Sequence, residues 1–370
     1  MRRLSVLLVG VLIMSVGFIA SLMMLGDEER LKRLLAAHVQ NQLGRELHIE
    51  GSVSLSLFPR LEIRASDVRL SGADAFNEID LLTSDQLSAS IKLTPLLRGR
   101  VEAENLAVEG ANLNLLFDES GQHSLAGIVH YGDREMAPGI LVNGPLRLEN
   151  LSLQIGRLGA DSLQRISVDR VELDGLAFDR ALHLVFEGAI GMPAVIEDVS
   201  VSGVLFVPAG TGIFRLSEMR MTGKARGAPN DFQLSGSLDV SAQPPLGVTL
   251  HGGLLEVDGH QAVIEGNYQA GQRPFFEVSL SGDTLDPVHL SRGLATGDAI
   301  DALALIAGWT ALHDYDLALQ SDQLVLGRWP LSNAVFKISA EGGMAEIQDA
   351  RAGIPGGTLE IVGDLAVEEE

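Results

Sequence analysis

The sequence predicts a mainly β protein in which a transmembrane helix and a short amphipathic helix precede a long antiparallel sheet. Three observations carry this. Leu4 to Leu25 is 22 residues without a charge. From residue 47 the apolar period drops from 3.6 to 2. Glycine then recurs inside the alternating stretches, and few long helical patterns interrupt them.

The uncharged stretch comes first. At about 1.5 Å per residue it reaches roughly 33 Å, enough to cross a bilayer core. Arg2 and Arg3 precede it, and Asp27, Glu28 and Glu29 come directly after. The basic end stays in the cytoplasm and the rest is exported. A cleaved signal peptide would have a shorter core and an A-x-A site; here Ala20 is followed by Ser21, Leu22 and Met23, so an uncleaved anchor is expected. Residues 27–44 then read as a helix. Asp27 suits the N-cap, Leu31, Leu34, Leu35, Val39 and Leu43 share a face, and Gly44 suits the position after the last turn. This helix can plug the near end of the β region or lie on the membrane.

Leu47, Ile49, Gly51, Val53, Leu55 and Leu57 alternate with His48, Glu50, Ser52, Ser54 and Ser56. Leu87, Ala89, Ile91 and Leu93 repeat the pattern, as do Phe232, Leu234, Gly236, Leu238 and Val240. Such strands have one dry and one wet face, the habit of antiparallel sheets. From Gly188 to Gly282 successive in-strand glycines are 15, 20, 13, 16, 14 and 16 residues apart, close to one strand plus one turn. Glycine on the dry side marks a bulge or bend, or a gap where something else lies. Roughly 18 to 22 strands with one apolar face can close into a filled barrel or sandwich, or curl into a trough for an apolar ligand. Periodicity does not separate the two. One helical insert is expected near 286–310, around Ala302, Leu303, Leu305 and Ile306.

Composition excludes several classes. With 49 acids against 27 basic residues, the net charge of −22 repels phosphate backbones, so no nucleic-acid partner is expected. The absence of cysteine removes thiolate metal sites, iron–sulfur clusters and cysteine nucleophiles. There is no G-x-x-x-x-G-K-[ST], G-x-S-x-G or H-E-x-x-H motif. Asp283, Asp286, His289, Asp298 and Asp301 could gather a metal, but caps and turns explain them more simply. No catalytic residue, metal or cofactor is expected, and the chain reads as a non-enzyme.

Three stretches resemble the AsmA family. Leu47 to Ile63, with Asp67-Val68-Arg69-Leu70 after it, and Leu93 to Leu115, with Asp118-Glu119-Ser120-Gly121 after it, resemble its N-terminal signature. Leu324-Val325-Leu326, Gly342-Gly343 and Ala350 to Leu359 resemble its C-terminal repeat. The resemblance implies a strongly curved antiparallel sheet forming a β-groove. It implies an inner-membrane protein whose periplasmic body carries phospholipid towards the outer membrane. A sheet short for spanning a periplasm leaves three readings open: a short member, a fragment, or a path completed by an envelope protein partner at the distal end.

The expected organisation is a cytoplasmic tip (1–3), anchor (4–25), amphipathic helix (27–44), N-terminal β region (45–125), repeating strands (126–285), helical insert (286–310) and a C-terminal-like β region (311–370) shorter than the family's usual one. Twenty strands at about 4.8 Å would give roughly 95 Å of sheet. The groove-lining residues expected are Val53, Leu55, Leu57, Leu61, Ile63, Leu87, Ile91, Leu93, Phe232, Leu234, Leu238 and Val240. A non-catalytic adaptor for outer-membrane protein assembly is the alternative, and an envelope hydrolase is a distant third.

Overall fold

Glycines, bulges and alternating side chains combine into one long sheet in the computed structural model of the chain. It describes residues 28–56, 61–72, 76, 79–92, 102–118, 122, 124, 141–142, 144–159, 164–175, 179–190, 196–208, 213–225, 230–241, 246–270, 273–286, 313–326 and 329–366. The expected anchor at 4–25 and the insert at 286–310 lie outside these residues, apart from Asp286. No helix among the described residues is long and apolar enough to cross a membrane.

Helix α1 (Glu28–Leu43) stands where the spacing of the leucines places it. Glu28 and Glu29 occupy its first turn, favourably for the helix dipole. The Gly44 N–H closes the last turn on the Gln40 carbonyl at 2.9 Å. The strands are β1 (Leu47–Ile49), β2 (Val53–Ser56), β3 (Leu61–Ser71), β4 (Asp80–Ile91), β5 (Glu102–Phe117), β6 (Leu141–Val142), β7 (Leu146–Arg157), β8 (Gln164–Leu173), β9 (Ala181–Ile190) and β10 (Ile196–Phe206). They continue as β11 (Ile213–Ala225), β12 (Asp231–Ser241), β13 (Gly247–Val257), β14 (His260–Gln269), β15 (Phe275–Leu285), β16 (Asp314–Leu326), β17 (Trp329–Glu341), β18 (Met344–Ile354) and β19 (Gly357–Ala366).

All nineteen belong to one sheet. The register pairs run in chain order. Strands β1 and β2 both pair with β3, end to end, so they share one position. Strands β6 and β7 likewise share the position beside β5. Nineteen strands thus fill seventeen positions, and the sheet extends roughly 80 Å at about 4.8 Å per strand, shorter than the twenty-strand expectation.

The sheet is mixed, which corrects the antiparallel expectation. Strand β5 pairs in parallel with β6 and β7, and β15 with β16. A parallel neighbour requires the chain to return to its starting side before pairing. The chain therefore returns to its starting side between β5 and β6 and again between β15 and β16. Every other strand pair among the described residues is antiparallel.

Most strands carry a mid-strand irregularity. Asp67, Asn150, Asp198, Glu218 and Asn333 have φ between 48° and 54°, in the left-handed region that Asp and Asn tolerate best. Register shifts flank several, as between Leu216 and Met219. Bulges of this kind bend a strand and increase its twist, which curves the sheet as a whole.

The largest buried cluster joins Phe232, Leu255, Val257, Ala262, Leu285, Leu324, Leu331, Ala334 and Ala352. A second lies beneath α1, and a third holds Tyr315, Ala340 and Ala345.

Candidate functional site

Cross-strand partners point to the same face of a sheet, so the register pairs trace what each face presents. Starting at β2, one row runs Val53–Ala65–Leu87–Val108–Leu148–Val171. It continues Phe186–Val201–Met221–Leu234–Leu255–Ala262. Twelve strands contribute, and every member is apolar. A second row starts at β9 and runs Leu182–Leu205–Leu216–Leu238–Leu250–Gly266. It reaches the last strand through Val278–Leu317–Ile338–Ile347–Gly363. The rows overlap from β9 to β14, so one apolar face is continuous from β2 to β19. Leu55–Ile63–Ala89–Leu106–Leu146–Leu173–Leu184 adds a third row at the N-terminal end.

This face is sealed only in part: Leu182, Leu216, Leu255 and Ala262 of the rows are buried, and other members are open. Leu148, Val171, Phe186, Val201, Met221, Leu234 and Leu238 are only half-buried. Ser84 is a buried polar residue on the dry side, and its hydroxyl is satisfied by the Gln86 and Glu109 carbonyls at 3.0 and 3.1 Å.

The opposite face is polar and ion-paired. Arg147 meets Glu172 at 3.4 Å, Arg170 meets Glu187 at 3.0 Å and Arg215 meets Asp239 at 2.9 Å, each across a strand pair. The Arg215 guanidinium holds the Asp239 carboxyl below the usual range, with His251 helping. Exposed pairs like these contribute little stability, but opposite charges across strands favour one register over a slipped one.

The structure distributes the sequence-predicted residues along these rows. Val53, Leu87 and Leu234 belong to the first row, Leu238 to the second, and Leu55 and Ile63 to the third. Val240 pairs with Phe214 and Val248 one step nearer the strand ends. Phe232 and Leu61 are buried at 3%, Phe232 inside the largest cluster. Leu57 and Leu93 lie outside the described residues, as does the side chain of Ile91. Val53, Leu55, Ile63 and Leu87 pack in the cluster completed by Leu31 and Leu35 of α1. Sequence reading missed most of the face, including Leu148, Val171, Phe186, Val201 and Met221. A residue in the left-handed region moves the apolar phase, as Asp67 does between Ala65 and Val68, and hides the period.

The in-strand glycines serve close approach more than a gap. A side chain at Gly188 would press on the Ser167 carbonyl of β8, and Gly252 sits at φ +56. Gly266 is different: its nearest neighbour would be 3.7 Å away, and it leaves a shallow gap in the second row.

Of the acidic group near 283–301, Asp283 and Asp286 are described and the rest lie outside. No cluster of three or more metal-ligating residues occurs among the described residues.

The geometry is that of a long apolar face backed by a polar one, and comparison with known proteins gives it a family. The chain matches the AsmA family over residues 1–263. It belongs to the AsmA family. The match covers the uncharged stretch and both N-terminal signature stretches, and ends before the C-terminal repeat-like residues. No curated protein matches the chain. AsmA membership is consistent with an envelope role in lipid transport or assembly.

Proposed function

We propose that this AsmA protein is held in the bacterial inner membrane by residues 4–25, with its body in the periplasm. There it supports outer-membrane assembly or homeostasis by carrying phospholipid along the apolar face. The observation that carries the reading is the unbroken row from Val53 to Ala262, continued by the second row to Gly363. Two acyl chains hold about 30 methylenes, and exposing them to water costs on the order of 24 kcal/mol at roughly 0.8 kcal/mol each. A continuous apolar track removes most of that barrier while the headgroup stays in water. It needs no catalytic residue and no cofactor, so the protein works as a carrier and not as an enzyme.

A photo-crosslinking residue at Leu234, with one at Ser235 as control, tests this in living cells. Ser235 faces the polar side, between Arg220 and Leu254. Phospholipid adducts at 234 and not at 235 support carriage. Absence of lipid at 234 in folded protein overturns it.

One observation favours the adaptor reading as second choice. Met344, Ile354, Ile361 and Val362 are exposed apolar residues gathered on β18 and β19. Ile354 and Ile361 lie on the dry face and Met344 and Val362 on the opposite one, so apolar surface on both sides of the last strands suits a protein partner at this end of the sheet. A crosslinker at Val362 that captures a specific envelope protein, together with no lipid at Leu234, would favour the adaptor.

A further inference from the structure

The dry face is covered at one end by the protein's own helix. Leu31 of α1 is buried, and Leu35 packs beside it against Val53, Ala65 and Val68. Val53 and Ala65 open the twelve-strand row. The helix therefore sits on the first positions of the track. Its Glu28 carboxylate accepts the Val53 N–H at 3.1 Å, which also occupies a backbone donor of the edge strand β2. Lys32 steadies that carboxylate at 3.2 Å.

This attachment is narrow. The helix contacts β1 and β2, and its hold among the described residues consists of two leucines, the Glu28 cap and half-buried neighbours. A helix of 16 residues is marginal alone in water, so α1 leaves this seat only for another apolar one. The sequence supplies one. The helix begins three residues after the uncharged stretch 4–25, which brings a bilayer surface within reach. Arg30 and Arg33 lie on the same element, in a chain whose net charge is −22. Cations beside an apolar face suit an anionic membrane surface.

We propose that α1 is a displaceable plug: Leu31 and Leu35 occupy the first acyl-binding position of the track, and lipid loads from the β1–β3 end only when α1 exchanges that position for the membrane surface. The proposal rests on the lipid-carrying reading and adds its control. Lipid and helix compete for Val53, Leu55 and Ile63, so a loaded track and a seated helix exclude each other at this end.

The chain contains no cysteine, so two introduced thiols can be bridged without side reactions. Leu35→Cys and Ile49→Cys place one on the helix and one on β1 beneath it, in the same cluster but outside the apolar rows. The full chain, with the photo-crosslinker at Leu234, is bridged in membranes by a short reducible bis-methanethiosulfonate. Phospholipid adducts at 234 are then compared before bridging, after bridging, and after reduction. The reduced double variant is its own control for folding. Loss of adduct on bridging with recovery on reduction is the expected result. Equal labelling in the bridged protein overturns the plug and leaves lipid carriage standing. Absence of adduct in the unbridged protein overturns lipid carriage itself, and the plug with it.

Discussion

An apolar face that stays open to small molecules should respond to truncation differently from a packed core. Leu324 and Leu238 make the comparison, since both are leucines on the dry side of the same sheet. Leu324 is 1% exposed and is walled by Leu285 and Leu331 on the flanking strands. Leu324→Ala removes three buried carbons and leaves a closed void, which should cost about 3–4 kcal/mol. Leu238 is half-buried between Leu216 and Leu250. There Leu→Ala loses transfer energy for the covered part only, and no closed cavity forms, so about 1–2 kcal/mol is expected. Urea unfolding of the purified full chain in mild detergent, followed by far-UV circular dichroism, reads both as midpoint shifts. The Leu324 variant should move the midpoint about two to three times further, in line with that energy ratio. Equal shifts would refute the reasoning. They would mean that Leu238 lies in a filled core and that no track exists between β11 and β13.

Three further outcomes are expected. Leu234→Asp should abolish phospholipid adducts at neighbouring dry-face positions, whereas Ser235→Asp should leave them intact. Glu28 should make the seating of α1 depend on acid. Its hydrogen bond from the Val53 N–H, then Lys32, lowers its pKa below the ordinary 4.5, so its contribution is present above that value and lost as pH falls through the lowered one. Hydrogen exchange in α1 should therefore quicken below about pH 4.5 by more than the intrinsic rate predicts, and Glu28→Gln should remove that step. Gly188→Ala should destabilise by about 1–3 kcal/mol because its methyl group meets the Ser167 carbonyl, while Gly266→Ala should be tolerated. Thermal denaturation of the two variants compares them directly.

Much of the sheet was legible in the sequence, for a specific reason. Val53 to Ser56 and Asp231 to Ser241 alternate cleanly, because the stretch between bulges has strict period two. The helix at 28–43 was equally plain, from its leucine spacing and Gly44. Bulged strands were harder. In β3 the dry residues are Leu61, Ile63 and Ala65, then Val68 and Leu70, and the change of parity at Asp67 breaks any simple count. The parallel pairs were hidden for another reason. Strand direction beside β5 and β15 depends on where the long connections return, and side-chain alternation is the same in either direction. The reach of the apolar rows was invisible as well, since each row takes one residue per strand and appears only once the registers are known.

The two parallel seams have a consequence for how such a protein can change length. Contacts are concentrated between ladder neighbours, so the molecule is close to one-dimensional. Within an antiparallel block each added strand reverses the side on which the chain emerges, so growth without disturbance comes in hairpins. A block of odd strand number closed by a parallel seam leaves that parity unchanged, and β7 to β15 is such a block of nine. The seams at β5–β7 and β15–β16 divide the chain into three blocks, and a block between seams can be inserted, removed or exchanged without inverting the strands beyond it. Span then becomes a modular quantity, set by the number of blocks and hairpins, while the apolar rows keep their alignment from one block to the next.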